Sequence, residues 1–200
     1  MYLSILLEVE LLFSLNEAIE RFRPNEIRYD ASYARFDELA QKEGIHYAII
    51  DLDGTLCAKG ESEVKGTVRE ILQLSRRRQD LKEICIVSNL VYGNNEREMR
   101  LIKAAKQIES CCVGAYWPNL KPKASPYLRA MELMGSTPKN TVVIGDQLLT
   151  DILGGNLLGM YTILVPSLPG SDHFTTKLKR PIEKWILKQL GLKLPVLARA

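Results

Sequence analysis

Five short apolar runs recur along the chain, each closed by polar or turn residues: His46–Ile50, Ile84–Ser88, Cys111–Ala115, Thr141–Ile144 and Tyr161–Val165. Runs that short, apolar almost throughout, suit strands of a parallel sheet buried on both faces. Between them, apolar residues recur every three or four positions, which predicts helices over Val68–Arg77, Glu96–Ile108, Ser125–Met134 and Thr150–Leu158. Ser125 is placed to cap one of these, with Pro126 in its first turn and Gly135 to stop it.

Strand and helix in alternation predict an α/β fold, an open, mostly parallel, five-stranded Rossmann-like sheet with helices on both faces. Leu56 to Ile84 leaves room for a loop and one helix, so no large cap domain is expected. Two flanking segments stand outside this alternation. In the first, Leu3, Leu6, Leu7, Leu11 and Leu15 form a stripe on an amphipathic helix, and a second helix is expected over Tyr33–Lys42, stopped by Gly44. The expected division is an N-terminal helical extension over 1–43, the α/β core over 44–170 and a basic amphipathic extension over 171–200.

Composition narrows the class. The 200 residues suit one domain, and 46% hydrophobic content is globular rather than disordered. Net charge is only +3, but seven Lys or Arg against one Glu from His173 onward make the end of the chain basic. There Phe174, Leu178, Ile182, Trp185 and Ile186 recur on one side among Lys177, Lys179, Arg180, Lys184 and Lys188, with Pro181 in the middle. That pattern suits packing on the core or peripheral contact with an anionic membrane. The greasy opening from Leu3 to Leu15 is broken by Glu8 and Glu10 and is shorter than the roughly 20 residues that cross a bilayer. Cys57, Cys85, Cys111 and Cys112 form no C-x-x-C pair and no secretory leader precedes them, so a reducing compartment and a cytoplasmic location are expected, peripheral on the cytoplasmic membrane face if the tail binds lipid. His46 and His173 are too few for a zinc centre, and the basic residues are not interleaved with stacking aromatics, so no nucleic acid is expected. Nothing in the sequence names a protein partner.

The candidate chemistry sits at the strand ends. Asp51, Ser88 and Asp146 each close or follow an apolar run, so a parallel sheet places all three at its carboxyl edge, where such folds bind ligands. In Ala48-Ile49-Ile50-Asp51-Leu52-Asp53-Gly54-Thr55, Asp51 is placed to attack phosphorus, and Asp53 to protonate the leaving oxygen and then activate water. Gly54 permits a tight turn whose amides could hold phosphate oxygens. A calcium loop would need an acid at its twelfth position, where Ser62 stands. Gly145-Asp146-Gln147-Leu148-Leu149-Thr150-Asp151 supplies a second acidic pair. Together the acids suit Mg2+: Asp51 directly, Asp53 through its backbone oxygen, Asp146 as the main distal carboxylate, and Asp151 as support orienting bound water. Ser88 and Asn89 offer a hydroxyl and local amides to a non-bridging phosphate oxygen, and the Lys121 ammonium offers charge neutralisation. Taken singly, each of these groups also suits a solvated turn or a helix cap. An aspartate, a hydroxyl and a lysine at one sheet edge also suit a phosphoaspartate signalling domain, and the tail suits a non-catalytic membrane adaptor.

The ordered segments AIIDLDGT, IVSN, LKP and VVIGDQLLTD resemble the haloacid-dehalogenase-like phosphatase superfamily. The stretch GDQLLTDILGGNLLGMYTILV, followed by SLPGSDHFTTKLKRPIEKWILK, is similar to the YqeG-like and phosphatidylglycerophosphate-phosphatase family, and the resemblance runs from about His46 to Gln189. It implies Asp51 as nucleophile, Asp53 as general acid and base, Ser88 and Lys121 on phosphate, and Asp146 and Asp151 supporting Mg2+. It also implies a phosphomonoester substrate, phosphatidylglycerophosphate, hydrolysed to phosphatidylglycerol and phosphate through an aspartyl phosphate. A soluble sugar, nucleotide or protein phosphate is the alternative substrate.

Overall fold

The computed structural model describes residues 14–170 and 174–195, the side chains of 174–178 excepted. Of the opening leucine stripe only Leu15 falls within them, and Phe174, Lys177 and Leu178 carry no side-chain description. The elements are α1 (14–20), β1 (Glu26–Ile27), α2 (Phe36–Glu43), β2 (Tyr47–Ile50), α3 (Gly66–Arg77), β3 (Glu83–Asn89), α4 (Asn95–Gln107), β4 (Cys111–Ala115), α5 (Ala124–Met134), β5 (Thr141–Gly145), α6 (Leu153–Leu157), β6 (Tyr161–Leu164) and α7 (Phe174–Gln189).

All strand pairings are parallel, in the order β1-β6-β5-β2-β3-β4. Among the described residues the expected open sheet is present with six strands rather than five. The added edge strand, β1, is two residues long and carries no apolar run. Polar bonds hold it: Thr162 N donates to Asn25 Oδ1 at 2.8 Å, and Arg28 N to Leu164 O at 3.0 Å. Periodicity cannot reveal such a strand.

Alternate residues of the central strands face opposite layers. Ala48, Ile50, Ile84, Ile86, Val142 and Ile144 pack with Val68 and Leu72 of α3 and Leu101 and Ala104 of α4. Ile49, Cys85, Val87 and Val143 meet Tyr127, Ala130 and Met131 of α5. Each central strand is thus buried on both faces, as an uninterrupted apolar run demands. A third cluster packs Ile186 and Leu187 of α7, with Leu190 just after it, on Ile19, Leu148, Ile152 and Leu164, so one face of the basic tail lies on the core.

Two helices depart from expectation. The stretch read as one helix over Thr150–Leu158 is a wide turn at Leu148–Ile152, with Ile152 N bonded to Gln147 O at 3.3 Å, followed by α6. Ser125 is not the cap of α5, which begins one residue earlier behind Lys123. The tail runs as one helix through Pro181. No helix among the described residues is long and apolar enough to cross a membrane.

Candidate active site

Register sets the site. Ile50 of β2 pairs with Ile86 of β3 and Ile144 of β5, so Asp51, Ser88 and Asp146 leave three adjacent strands at one edge. Asp51 N donates to Ile144 O at 3.0 Å, holding the residue in the sheet's frame beyond the last paired residue of β2. Lys121, from the loop before α5, is buried among them. Its Nζ donates to Asp51 Oδ1 at 2.5 Å, Asp151 Oδ1 at 2.7 Å and Val87 O at 2.8 Å, which uses all three ammonium protons. Asn89 grips the Lys121 backbone: Lys121 N donates to Asn89 Oδ1 at 2.8 Å and Asn89 Nδ2 to Lys121 O at 3.5 Å. Asn89, expected on phosphate, thus has its side chain turned to the lysine. Ser88 is buried at the end of β3.

The wide turn delivers Asp151. Gln147 N donates to its Oδ2 at 3.3 Å, and buried Tyr127 braces the turn by donating its hydroxyl to Thr150 O at 2.9 Å. Gly145 leaves the necessary space, since a Cβ there would stand 2.3 Å from Asp151 Cβ and Cγ. Gly145→Ala is therefore expected to lower stability by about 1–3 kcal/mol, as overpacking does, and to weaken Mg2+ binding by displacing Asp151. Denaturant unfolding with and without Mg2+ checks both effects.

Asp51, Asp146 and Asp151, all buried, each offer an oxygen within 4.8 Å of the others. Ligand atoms about 2.1 Å from an octahedral Mg2+ lie roughly 3–4 Å apart, so the set is of the right scale and of the hard-oxygen type. Asp146 Oδ2 accepts from Arg180 Nη2 at 2.8 Å and lies 3.5 Å from Lys59 Nζ, whereas its Oδ1 is buried with no hydrogen-bond partner. A buried anionic oxygen without a donor is what a cation would satisfy. Gly54 keeps the approach open at φ 92°, for a Cβ there would come within 2.6 Å of Ser167 Oγ and 2.8 Å of Asp146 Oδ2.

Burial pushes the Asp51 carboxyl up to about 8, and Asp151 and Asp146 add to the rise against the pull of Lys121. Asp151 is raised chiefly by burial as well. Burial works to lower the Lys121 ammonium, but Asp151 and Asp51 outweigh it and the pKa is raised. The raised Asp51 value means that its contribution to metal-free stability is present below about pH 4 and is lost as pH rises through about 8. A cation held by the Asp51 carboxylate would then have to displace that proton. Apparent Mg2+ affinity is expected to rise roughly 20-fold from about pH 6.5 to about pH 8.5 and to level off above, with proton release seen by calorimetry in two buffers.

The Asp53 carboxylate is turned away from this group toward α4. Its Oδ1 accepts from Arg100 Nη2 and its Oδ2 from Arg97 Nη2 at 3.2 Å. Burial opposes ionisation of Asp53, but Arg100 and Arg97 outweigh it and hold the carboxyl below the usual range. The fold therefore gathers Asp51, Lys121, Asp146 and Asp151, with Ser88 beside them, Asn89 behind the lysine and the Asp53 side chain on a separate arginine pair. Reading the sequence missed Arg97, Arg100, Lys59 and the reach of Arg180, because α4 and the tail carry many charges and none of these four is marked by its spacing.

Residues 120–182, which include Lys121, Asp146, Asp151 and Arg180, match the family model described as "HAD-hyrolase-like". The chain is 33% identical over 156 residues to the protein named "Probable phosphatase YqeG" of Bacillus subtilis (strain 168), covering 78% of this chain and 84% of that one. Among solved structures, an uncharacterized protein from Listeria monocytogenes serotype 4b is 15% identical with a TM-score of 0.49, covering 65% of this chain and 84% of the other. A HAD phosphatase from Thermococcus onnurineus is 18% identical with a TM-score of 0.41, covering 60% of this chain and 58% of that one.

Proposed function

The chain belongs to the YqeG-like phosphatases of the haloacid-dehalogenase-like superfamily, and on that premise we propose that it is a Mg2+-dependent phosphomonoester hydrolase whose substrate is phosphatidylglycerophosphate. The observation that carries the chemistry is the buried convergence of Asp51, Asp146 and Asp151, with Lys121 bridging two of them. One Asp51 oxygen attacks phosphorus and the bond to the alcohol oxygen breaks; Asp53, which takes up a proton from solvent once it has rotated off its arginines and escaped their charge, passes that proton to the alcohol oxygen. Water, deprotonated by Asp53, then attacks the same phosphorus. The bond to Asp51 breaks, and inorganic phosphate and the free carboxylate result.

Lys121 keeps the nucleophile in place, Asn89 keeps Lys121 in place, and the Ser88 hydroxyl is the donor for a non-bridging oxygen. Asp51, Asp146, Asp151 and the Asp53 carbonyl would hold Mg2+, which would supply the positive charge without which these acids repel phosphate.

The lipid substrate is supported by what surrounds the site. No large cap stands between β2 and α3 among the described residues. Val91, Tyr92 and Trp117 are exposed in the loops after β3 and β4 at the same edge, and Ile182 and Trp185 are exposed on α7. Aromatic and aliphatic side chains beside basic ones suit the headgroup layer of a bilayer. The test is phosphate release from phosphatidylglycerophosphate in vesicles against glycerol phosphate, sugar phosphates, nucleotides and phosphopeptides, with and without Mg2+. Mg2+-dependent release with the lipid preferred is the expected result. Preference for a soluble ester would keep the chemistry and overturn the substrate, and no release from any of them would overturn both.

A further inference from the structure

Two arginines beside Asp53 have unequal commitments. Arg100 ties the loop after Asp53 to α4, its Nε donating to Glu61 O at 3.0 Å and its Nη2 to the same oxygen at 2.7 Å as well as to Asp53. Arg97 meets Asp53 Oδ2 through Nη2 at 3.2 Å, while its Nε is buried with no hydrogen-bond partner. Two guanidiniums thus face one carboxylate and leave a local excess of positive charge. The opposite holds around Lys121, where one ammonium faces two carboxylates. Asp53 is two residues from Asp51, so their Cα atoms lie within about 7 Å and Arg97 stands near the reacting phosphorus rather than across the molecule.

We propose that Arg97, backed by Arg100, receives a second anionic group of the substrate, a phosphodiester joined through a short polyol to the phosphomonoester that Asp51 attacks. The proposal rests on the phosphatase reading above and deepens it by naming the side chains that recognise the diester on the leaving alcohol. A phosphodiester offers two oxygens to a guanidinium edge, so it satisfies the unpartnered Nε together with one Nη group, a geometry that a lysine cannot match. The same anion competes with Asp53 for Arg97. Occupancy therefore frees Asp53 Oδ2 and lets the side chain turn toward the leaving oxygen, so binding of the correct alcohol and readiness for proton transfer go together.

The experiment uses the full-length Asp51→Asn protein with Mg2+, which binds without turning over, and calorimetry with two water-soluble ligands. One is glycerol 3-phosphate. The other is the deacylated headgroup, glycerophosphoglycerol phosphate, so no lipid surface takes part. The second ligand is expected to bind at least about tenfold tighter, with Arg97→Ala bringing the ratio near one and Arg97→Lys retaining part of it. A ratio near one in the parent protein, or a ratio that Arg97→Ala leaves unchanged in protein with a normal unfolding transition, would overturn the proposal. If Arg97→Ala fails to fold, Arg97→Gln takes its place, with the ratio again expected near one. Absence of phosphate release from the wild type would sink the phosphatase reading separately, since this ratio is measured without catalysis.

Discussion

Asp51→Asn is expected to lower kcat by about four orders of magnitude or more while leaving the protein at least as stable as the parent near pH 8. The amide oxygen can still accept from Lys121, so the local packing survives. What disappears is the oxygen anion proposed as nucleophile and one of three crowded acids. Because burial and the neighbouring carboxylates raise the Asp51 value to about 8, the charged form costs stability as pH rises, and a neutral isostere escapes that cost. Loss of activity through misfolding would show the reverse pairing, with a lower unfolding midpoint. Phosphate release and urea unfolding on the same preparation separate the two, and retained turnover in the variant would remove Asp51 from the nucleophile's role.

Lys121→Met is expected to have the largest effect on stability, a loss of about 3–5 kcal/mol near pH 8, together with loss of activity. The substitution preserves much of the stem's volume but leaves Asp51 Oδ1, Asp151 Oδ1 and Val87 O without their donor in a buried place. The carboxylates then escape only by taking up protons, so the deficit is expected to shrink as pH falls from about 8 toward 5. Added Mg2+ should recover part of it by supplying the missing charge. Lys121→Arg is not expected to rescue, since three acceptors are arranged around a point charge and a planar fork is too large for the same space. A pH-independent loss below 1 kcal/mol would mean that the bridge contributes little.

What could be read before folding divides along physical lines. The strands β2 to β6 were legible because burial on both faces leaves uninterrupted apolar runs, and Asp51, Ser88 and Asp146 followed by counting to the end of each run. β1 escaped because Asn25 and Thr162 hold it. The orientation of Asp53 was not legible because it depends on guanidiniums 44 and 47 residues further along the chain. In the tail, the stripe of Phe174, Leu178, Ile182, Trp185 and Ile186 is what hydrophobicity traces, yet the buried side of α7 carries Glu183, Ile186 and Leu187, continued by Leu190 just past its end. A buried Glu183, accepting from Leu149 N at 3.3 Å and Arg180 Nη1 at 3.2 Å, breaks the pattern that hydrophobicity alone would trace and leaves Ile182 and Trp185 facing out.

The grip of Arg180 on Asp146, through both Oδ2 and the main-chain carbonyl at 3.2 Å, makes α7 a structural partner of the reaction centre. Shortening the chain ahead of this helix to study lipid attachment would simultaneously strip a guanidinium from an acid essential to the proposed catalysis and uncover Leu148, Ile152 and Leu164. Truncation therefore cannot test lipid attachment separately from turnover. Paired surface replacements at Ile182 and Trp185, which leave Arg180 and the inward side chains untouched, are the way to vary one without the other.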